Sequence, residues 1–306
     1  MFQQLDDRQP VLVLGHADMA AHGYNDHDEH PGRLIAVEAG IASAVASGLE
    51  LVRRAARPAS DEDLRAVHAA GYLAALAAGT LPPTRDNPIT PGTWHSACLA
   101  AGAAAEAAAL TAAGPLRRAF CATRPPGHHA HADHGGGFCY LNNAVVAARR
   151  FQALGFGPVA VLDLDYHHGD GTAALALGDP GLWYGSIHAD PAISWPGTGE
   201  QVDHPRARHI PLPRPAGDAR WLAAVDHLLI RVDALRPRAV VLSFGSDALA
   251  GDPVGDLGIS QDALASAVRR IVRLFPELPL VSVLEGGYDE AALSEAVARH
   301  LHALAG

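Results

Sequence analysis

What this chain has little of narrows its function before any motif is read. Charge is sparse: 18% of its 306 residues are charged, against 49% hydrophobic. That balance excludes an extended disordered chain and supplies a large core. Basic charge is the scarcer sign, with 23 Lys plus Arg against 33 Asp plus Glu and a net charge of −10. Such a chain gains nothing from neutralising phosphates, so no direct nucleic-acid partner is expected. Acidity is compatible with cationic substrates such as polyamines or lysine-rich tails, and equally with ordinary solubility. Only three cysteines occur, Cys98, Cys121 and Cys139, with no C-x-x-C spacing. They read as reduced, mostly buried thiols of a cytoplasmic protein. The N-terminus, MFQQLDDRQP, shows no basic region followed by an apolar run, so no signal peptide is expected. No membrane span is expected either, because the Ala-rich run Leu99–Gly114 carries Glu106, ends in Gly-Pro and is short. Repeats, low-complexity linkers and composition breaks are also missing, which predicts one domain over residues 1–306.

Histidine is the residue in excess, at 18 copies, several of them clustered. Clustered imidazoles suggest metal binding or proton transfer. Short apolar runs alternate with amphipathic stretches. The runs are Val11–Gly15, Ala119–Thr123, Val159–Asp165, Leu182–Ile187, Ala239–Gly245 and Leu278–Leu284. They have the character of strands covered on both faces. Helices are expected from Ser60, with Asp63 as a capping partner, and over Thr93–Ala113, Asn142–Leu154, Arg220–Leu235, Gln261–Leu274 and Asp289–Ala305. The alternation predicts an α/β fold with a mostly parallel sheet. Long irregular stretches are expected over 18–32, 80–91, 125–137 and 190–208.

Polar clusters follow the strands. They are RPPGHH ending at His129, DLDYHHGDG from Asp163, SIH ending at His188, GSDALAGDP from Gly245, and EGGY ending at Tyr288. Ligands of open parallel sheets bind outside the carboxyl ends of strands, so five such clusters predict one shared crevice. Asp163, Asp165 and His167 alternate with the strand period and leave one face. A carboxylate and an imidazole two residues apart can hold one divalent cation, with Asp252 as a third ligand. Three protein ligands plus water is a catalytic zinc pattern; helix capping or a hydrogen-bonded strand end would explain the short motif alone. His128 and His129 follow a Pro-Pro-Gly turn. They can supply the base and acid that hydrolysis needs, or be surface groups or ligands themselves. Tyr288 can donate to a developing oxyanion, or simply pack beside a turn.

Taken together, RPPGHHA, GGGFCYLNNA, DLDYHHGDGT, SIHADP, PGTGE, GSDALAGDP and LEGGY resemble the zinc-dependent histone deacetylase and acetylpolyamine amidohydrolase superfamily, in its order and from HPGR at Arg33 to Tyr288. The resemblance implies the single-domain arginase–deacetylase fold, a roughly eight-stranded parallel sheet flanked by helices on both faces. It implies one catalytic zinc on Asp165, His167 and Asp252. His129 would be the general base, oriented by Asp170, and His128 its partner, oriented by Asp163. Tyr288 would polarise the scissile carbonyl. A structural potassium is implied on Asp163, Ser186 and the backbone of Asp165, His167 and Ile187. Gly137, Phe138 and Trp195 would form the substrate slot, with Asp86 as a rim aspartate that binds substrate backbone amides and with Val254 and Ile259 as apolar rim residues. The implied substrate is an acyl-lysine or an acetylated polyamine; the apolar rim favours acyl-lysine, and another small acylated amine stays open. Oligomeric state is not read from the sequence. A binuclear arginase-like site would need an aspartate where Gly169 stands. A silent acyl-lysine binder would not need the intact histidine and tyrosine set. The loop bearing His16, His22, Asp26, His27 and His30 reads as solvated, with a substrate or second-metal contact as the alternative.

Overall fold

The computed structural model describes residues 9–306, so residues 1–8 of the N-terminal segment considered above lie outside the described part. Strands and helices alternate along the chain. In order they are β1 (Val11–Gly15), α1 (Gly32–Ala46), β2 (Leu51–Ala55), α2 (Asp61–Arg65), α3 (Ala70–Ala77), α4 (Thr93–Ala113), β3 (Arg118–Cys121), α5 (Asn143–Ala153) and β4 (Val159–Asp163). There follow α6 (Asp170–Leu177), β5 (Leu182–Ala189), β6 (Val202–His204), β7 (Ala207–Leu212), α7 (Gly217–Leu235), β8 (Ala239–Phe244), α8 (Gln261–Leu274), β9 (Leu280–Leu284) and α9 (Glu290–Ala305).

The strands form one nine-stranded sheet in the order β2-β1-β3-β9-β8-β4-β5-β7-β6. Among the described residues it is one strand larger than expected, and only β6 runs antiparallel, against β7. The central strands are buried along their whole length. Their apolar runs satisfy two faces at once. One face packs α1, α7, α8 and α9 against strand side chains such as Phe120, Leu162 and Val240. The other packs α4 and α5 against Cys121, Val161 and Val241. Crossover helices on both faces are what parallel neighbours require.

Helix starts follow local chemistry. The Ser60 hydroxyl accepts from Asp63 N–H at 3.1 Å and donates to its carboxylate at 2.6 Å. Asn142, Ser260 and Asp289 cap α5, α8 and α9 in the same way. Helix α4 is 21 residues and, by length and composition, apolar enough to cross a membrane. It is longer than the apolar run read from the sequence. Here 72% of its most apolar window is buried inside the protein, against α5 and the sheet.

Candidate active site

Four of the five polar clusters follow β3, β9, β8 and β4, which are consecutive neighbours in the sheet, while the fifth, Ser186–His188, lies inside the adjoining β5. Their carboxyl ends therefore open into one crevice, as expected. At its floor are Asp165 and His167, just past the end of β4, and Asp247, three residues past Phe244 at the end of β8. A ligand atom from each lies within 4.8 Å of the others. His167 Nδ1 is 3.2 Å from Asp165 Oδ1 and 3.1 Å from Asp247 Oδ2. The remaining oxygens are held by backbone N–H groups, Asp165 by Gly286 at 2.8 Å and Asp247 by Tyr166 at 3.0 Å. A Cβ on Gly245 would sit 2.1 Å from the Asp165 carboxylate, and one on Gly286 2.4 Å from that of Asp247. The backbone thus closes around the two acids.

Asp252 is not part of this cluster, a correction to the expected ligand set. Its Oδ1 accepts from Val254 and Gly255 N–H at 2.9 and 3.0 Å, and its Oδ2 from Tyr288 and Asp289 N–H at 2.8 and 3.3 Å. With both oxygens committed to backbone, Asp252 anchors the Tyr288 turn instead. Both aspartates follow the same strand, but only Asp247 is near enough to its end to face the floor.

The donor set suits a zinc ion. Two carboxylates and one imidazole are oxygen and nitrogen donors of the kind that catalytic zinc takes, three in number, which would leave a fourth position for water or substrate. Burial and the facing charge of Asp165 push the Asp247 carboxyl up to about 7, so the pair is costly without a cation between its members.

Two His–Asp pairs flank the cluster. His128 donates from Nδ1 to Asp163 at 3.1 Å, and His129 from Nδ1 to Asp170 at 2.7 Å. Their rings lie 3.9 Å apart, and both side chains are buried. The loop that carries them is held by Glu285, whose Oε2 accepts from Gly127 and His128 N–H at 2.7 and 3.1 Å. Glu285 received no role in the sequence reading, although it stands inside LEGGY. Burial pushes its carboxyl up to about 7. Burial opposes a charged His128, but Asp165, Asp163 and Glu285 outweigh it and hold the imidazole well above its ordinary range. Burial and the adjacent His128 push His129 down to about 3.

Tyr288 lies across the crevice. Arg33 places it: Nε donates to Gly287 O at 2.7 Å, Nη2 to Glu285 O at 2.6 Å, and the guanidinium sits 4.9 Å from the Tyr288 ring centre. HPGR marked this arginine, but sequence alone gave it no role. Burial raises the Tyr288 phenol well above its ordinary range, so it keeps its proton.

A channel of about 250 Å³ leads to the floor, with Phe138, Trp195, Gly137, Val254 and Asp86 along it. Phe138 takes φ +69°, and its N–H donates to Asn87 at 3.1 Å. Trp195 packs edge to face on His129 at 4.4 Å. Gly137 is required here, because a Cβ would meet Trp195 at 2.4 Å and His129 at 2.6 Å. Ile259 does not line the channel. It is 1% exposed in the apolar core and bridges to Leu249, so of the two expected apolar rim residues Val254 alone lines the channel.

The expected potassium residues Asp163 and Ser186 are paired across β4 and β5, and Ile187 follows within β5. Ser186 Oγ is 2.7 Å from His188 Nδ1. The His-rich N-terminal loop is less solvated than expected. His22 is buried beside Thr93, and His27 packs edge-on to Phe138 at 4.9 Å while its Nε2 reaches Arg85 O.

A family model described as the histone deacetylase domain matches residues 27–304. The chain is 36% identical over 219 residues to acetylpolyamine amidohydrolase 1 of Pseudomonas aeruginosa, covering 68% of this chain and 61% of that protein. It is 32% identical over 271 residues to acetylpolyamine amidohydrolase of Mycoplana ramosa, covering 78% and 77%. The match thus spans about three-fifths of the length of the first relative. Among solved structures, that of the HDA15 HD domain superposes with a TM-score of 0.90 at 28% identity, covering 97% of this chain and 90% of that one. The acetylpolyamine aminohydrolase of Burkholderia pseudomallei gives 0.85 at 28% identity, covering 96% and 98%. On the extent of these matches, the chain belongs to the histone deacetylase family.

Proposed function

We propose that this protein hydrolyses the amide of an N-acyl alkylamine, releasing a carboxylate and an amine. The observation that carries the reading is the convergence of Asp165, His167 and Asp247 with two oppositely tuned His–Asp pairs at the foot of one channel. Membership of the family implies zinc, which those three residues would hold. It would supply Lewis acidity, polarising an acyl oxygen and lowering the pKa of water.

The chain's own groups do the rest. His129 is neutral and spends Nδ1–H on Asp170, so its Nε2 lone pair is free to take a proton from water. His128 holds its proton against Asp163 and can give one to the departing nitrogen. Tyr288 donates its O–H to the oxygen that gains charge. Phe138 and Trp195 confine an alkyl arm and exclude water around the amide. Both water hydrogens end on the amine: one reaches the departing nitrogen through His129 and the paired histidine, and the other, released as the new acid ionises, protonates the free amine to its ammonium form.

For the substrate, we favour an acetylated polyamine over acyl-lysine, reversing the order the sequence suggested. That order rested partly on an apolar rim of Val254 and Ile259, of which Val254 alone lines the channel. Instead, Asp86 and Asp133 line the channel mouth and the adjoining cavity of about 340 Å³. Among the described residues, neither cavity is lined by arginine or lysine. A carboxylate-bearing mouth attracts a second ammonium. The names of the amidohydrolase relatives point the same way. An acetyl-lysine side chain would fit the same aromatic walls. Measuring kcat/KM for acetylspermidine, acetylputrescine and an acetyl-lysine peptide with the zinc form tests both levels. Turnover of none refutes the hydrolase reading, and a peptide preference restores acyl-lysine.

A structural potassium at Asp163 and Ser186 is a further part of the proposal, tested by exchanging potassium for sodium and following melting temperature. The three cysteines are free and buried, which supports placing the enzyme in the reducing cytoplasm.

A further inference from the structure

Asp170 serves two imidazoles. Its Oδ1 accepts from His129 Nδ1 at 2.7 Å, and its Oδ2 lies 3.2 Å from His131 Nε2. We propose that His131 is a positioning residue for the reaction: by donating to the second oxygen of Asp170, it fixes the carboxylate that orients His129. This rests on the hydrolytic reading above, in which His129 is the base.

The need for such a donor follows from comparing the two carboxylates. Asp163 has three donors, His128 Nδ1, Asp165 N–H and Tyr184 O–H, at 3.1, 3.1 and 2.9 Å, and is fully buried. Its plane cannot turn without breaking one of them. Asp170 is 22% exposed and begins α6, and its side chain has only the two imidazole contacts among the described residues. Without His131 it would be free to rotate about the His129 bond and to share Oδ2 with water. An imidazole held by a wandering carboxylate loses its direction, the role that outer partners of catalytic histidines usually secure.

His131 is built for the task. Its backbone is pinned independently of its side chain. Its N–H donates to His134 O at 2.9 Å, and its carbonyl accepts from His68 Nδ1 at 2.9 Å. His68 Nε2 accepts from Asn142 N–H at 3.0 Å, which puts the ring proton on Nδ1 as that contact requires. The neighbouring Ala130 and Ala132 carbonyls are held by Asn142 and by Ala69 N–H. The loop therefore does not need the His131 ring to keep its path. The ring is free to be aimed, and the stacked His134 ring at 4.2 Å keeps it upright. Asp170 itself is held well below the usual carboxylate range: burial opposes this, and hydrogen bonds from His129 and His131 overcome it. It is an ionised acceptor for both imidazoles.

The test uses the zinc-loaded full chain and two variants. His131→Ala removes the donor. His131→Gln keeps a neutral N–H at about the reach of Nε2. For His131→Ala, kcat on the best acetylated amine is expected to fall on the order of 10-fold, with KM and zinc content unchanged. His131→Gln should recover most of the loss. The downfield proton resonance of His129 Nδ1–H, assigned by its disappearance in His129→Gln, should move in His131→Ala and return in His131→Gln. Overturning results are an unmoved resonance, kcat within twofold of the parent in His131→Ala, or equal impairment of both variants. If the parent chain hydrolyses no acylated amine, the hydrolytic reading fails, and the resonance still reports whether His131 shares Asp170.

Discussion

His128 and His129 are adjacent in sequence, are both buried, and each gives its Nδ1–H to an aspartate, yet they are driven to opposite charge states. The surroundings of the two pairs make the difference. His128 faces Asp165 and Glu285 as well as Asp163, and these carboxylates outweigh its burial. For His129, which packs against Trp195, burial and the neighbouring His128 outweigh the support of Asp170 and push it down to about 3. One constellation repeated side by side thus has two opposite proton affinities, which is what the proposed division into proton holder and proton acceptor requires. Environment, not residue type, assigns acid and base, as with paired carboxylates elsewhere.

The comparison breaks most completely at the metal cluster, around which both pairs are arranged. Asp247→Ala is expected to abolish zinc binding and turnover together, because three protein ligands leave no spare. Asp252→Ala should keep its zinc by elemental analysis and lose activity only through the loosened Tyr288 turn. Equal zinc loss in both variants would return Asp252 to the ligand set.

Replacing each histidine separately sharpens the contrast. His129→Gln should lower kcat on the order of 100- to 10,000-fold, the range for a missing general base. His128→Gln, whose amide can still donate toward Asp163, should lose about 10- to 100-fold. The reverse order would show that the acceptor role belongs to His128.

Tyr288→Phe tests the partner both pairs share. It keeps the ring against Phe138 and Arg33 and removes only the donor. Losing one oxyanion donor costs about 100- to 1,000-fold in kcat, while KM and zinc content should stay near the parent values. A ring that merely packs would leave activity within a few-fold.

The parts of this arrangement that the sequence disclosed are those where one physical demand acts alone. Strands buried on both faces must be apolar throughout, so β1, β4 and β8 stand out as runs. Strands at or next to the sheet edges meet mixed demands. β2, LVRRA, is mostly exposed, with Arg53 paired to Glu38, and β7 carries Arg208, His209 and Pro211. Neither shows a clean period, and both were missed. Helix α1 was missed too. It is rich in Ala and Gly and begins after Pro31 with no side-chain cap. At the site, residues fixed by strand ends were legible, as with Asp165, His167 and the two His–Asp pairs. The choice between Asp247 and Asp252 depends on how far a turn carries the chain before it bends. Ile259 looked like rim because it is near Asp252 in sequence, but the turn folds it into the core.

The smallest expected effect extends the contrast between charged and neutral imidazoles to histidines remote from catalysis. His22, His68, His209 and His300 are each less than 10% exposed. Burial leads the causes for all four, pushing His22 and His300 to about 3 and His68 and His209 to about 4. Each therefore binds a proton more weakly folded than unfolded, where an imidazole titrates near 6.5. Above that pH both states are neutral and the folded state keeps its full advantage. As pH falls, unfolding takes up a proton at each ring, and stability drains at up to about 1.4 kcal/mol per histidine per pH unit until the folded ring titrates. The share of the urea midpoint that these four rings carry should be flat from pH 8 to 7 and fall with growing slope between 6 and 4, read as the parent profile minus that of a variant lacking one ring, because His128, Glu285 and Asp247 titrate with the opposite sign. His300→Phe should flatten that slope without touching kcat, since this ring stacks on Phe244 at 3.8 Å and, among the described residues, hydrogen-bonds Ser282 alone. A slope unchanged by this substitution would show that His300 does not enter the acid transition as a buried neutral imidazole.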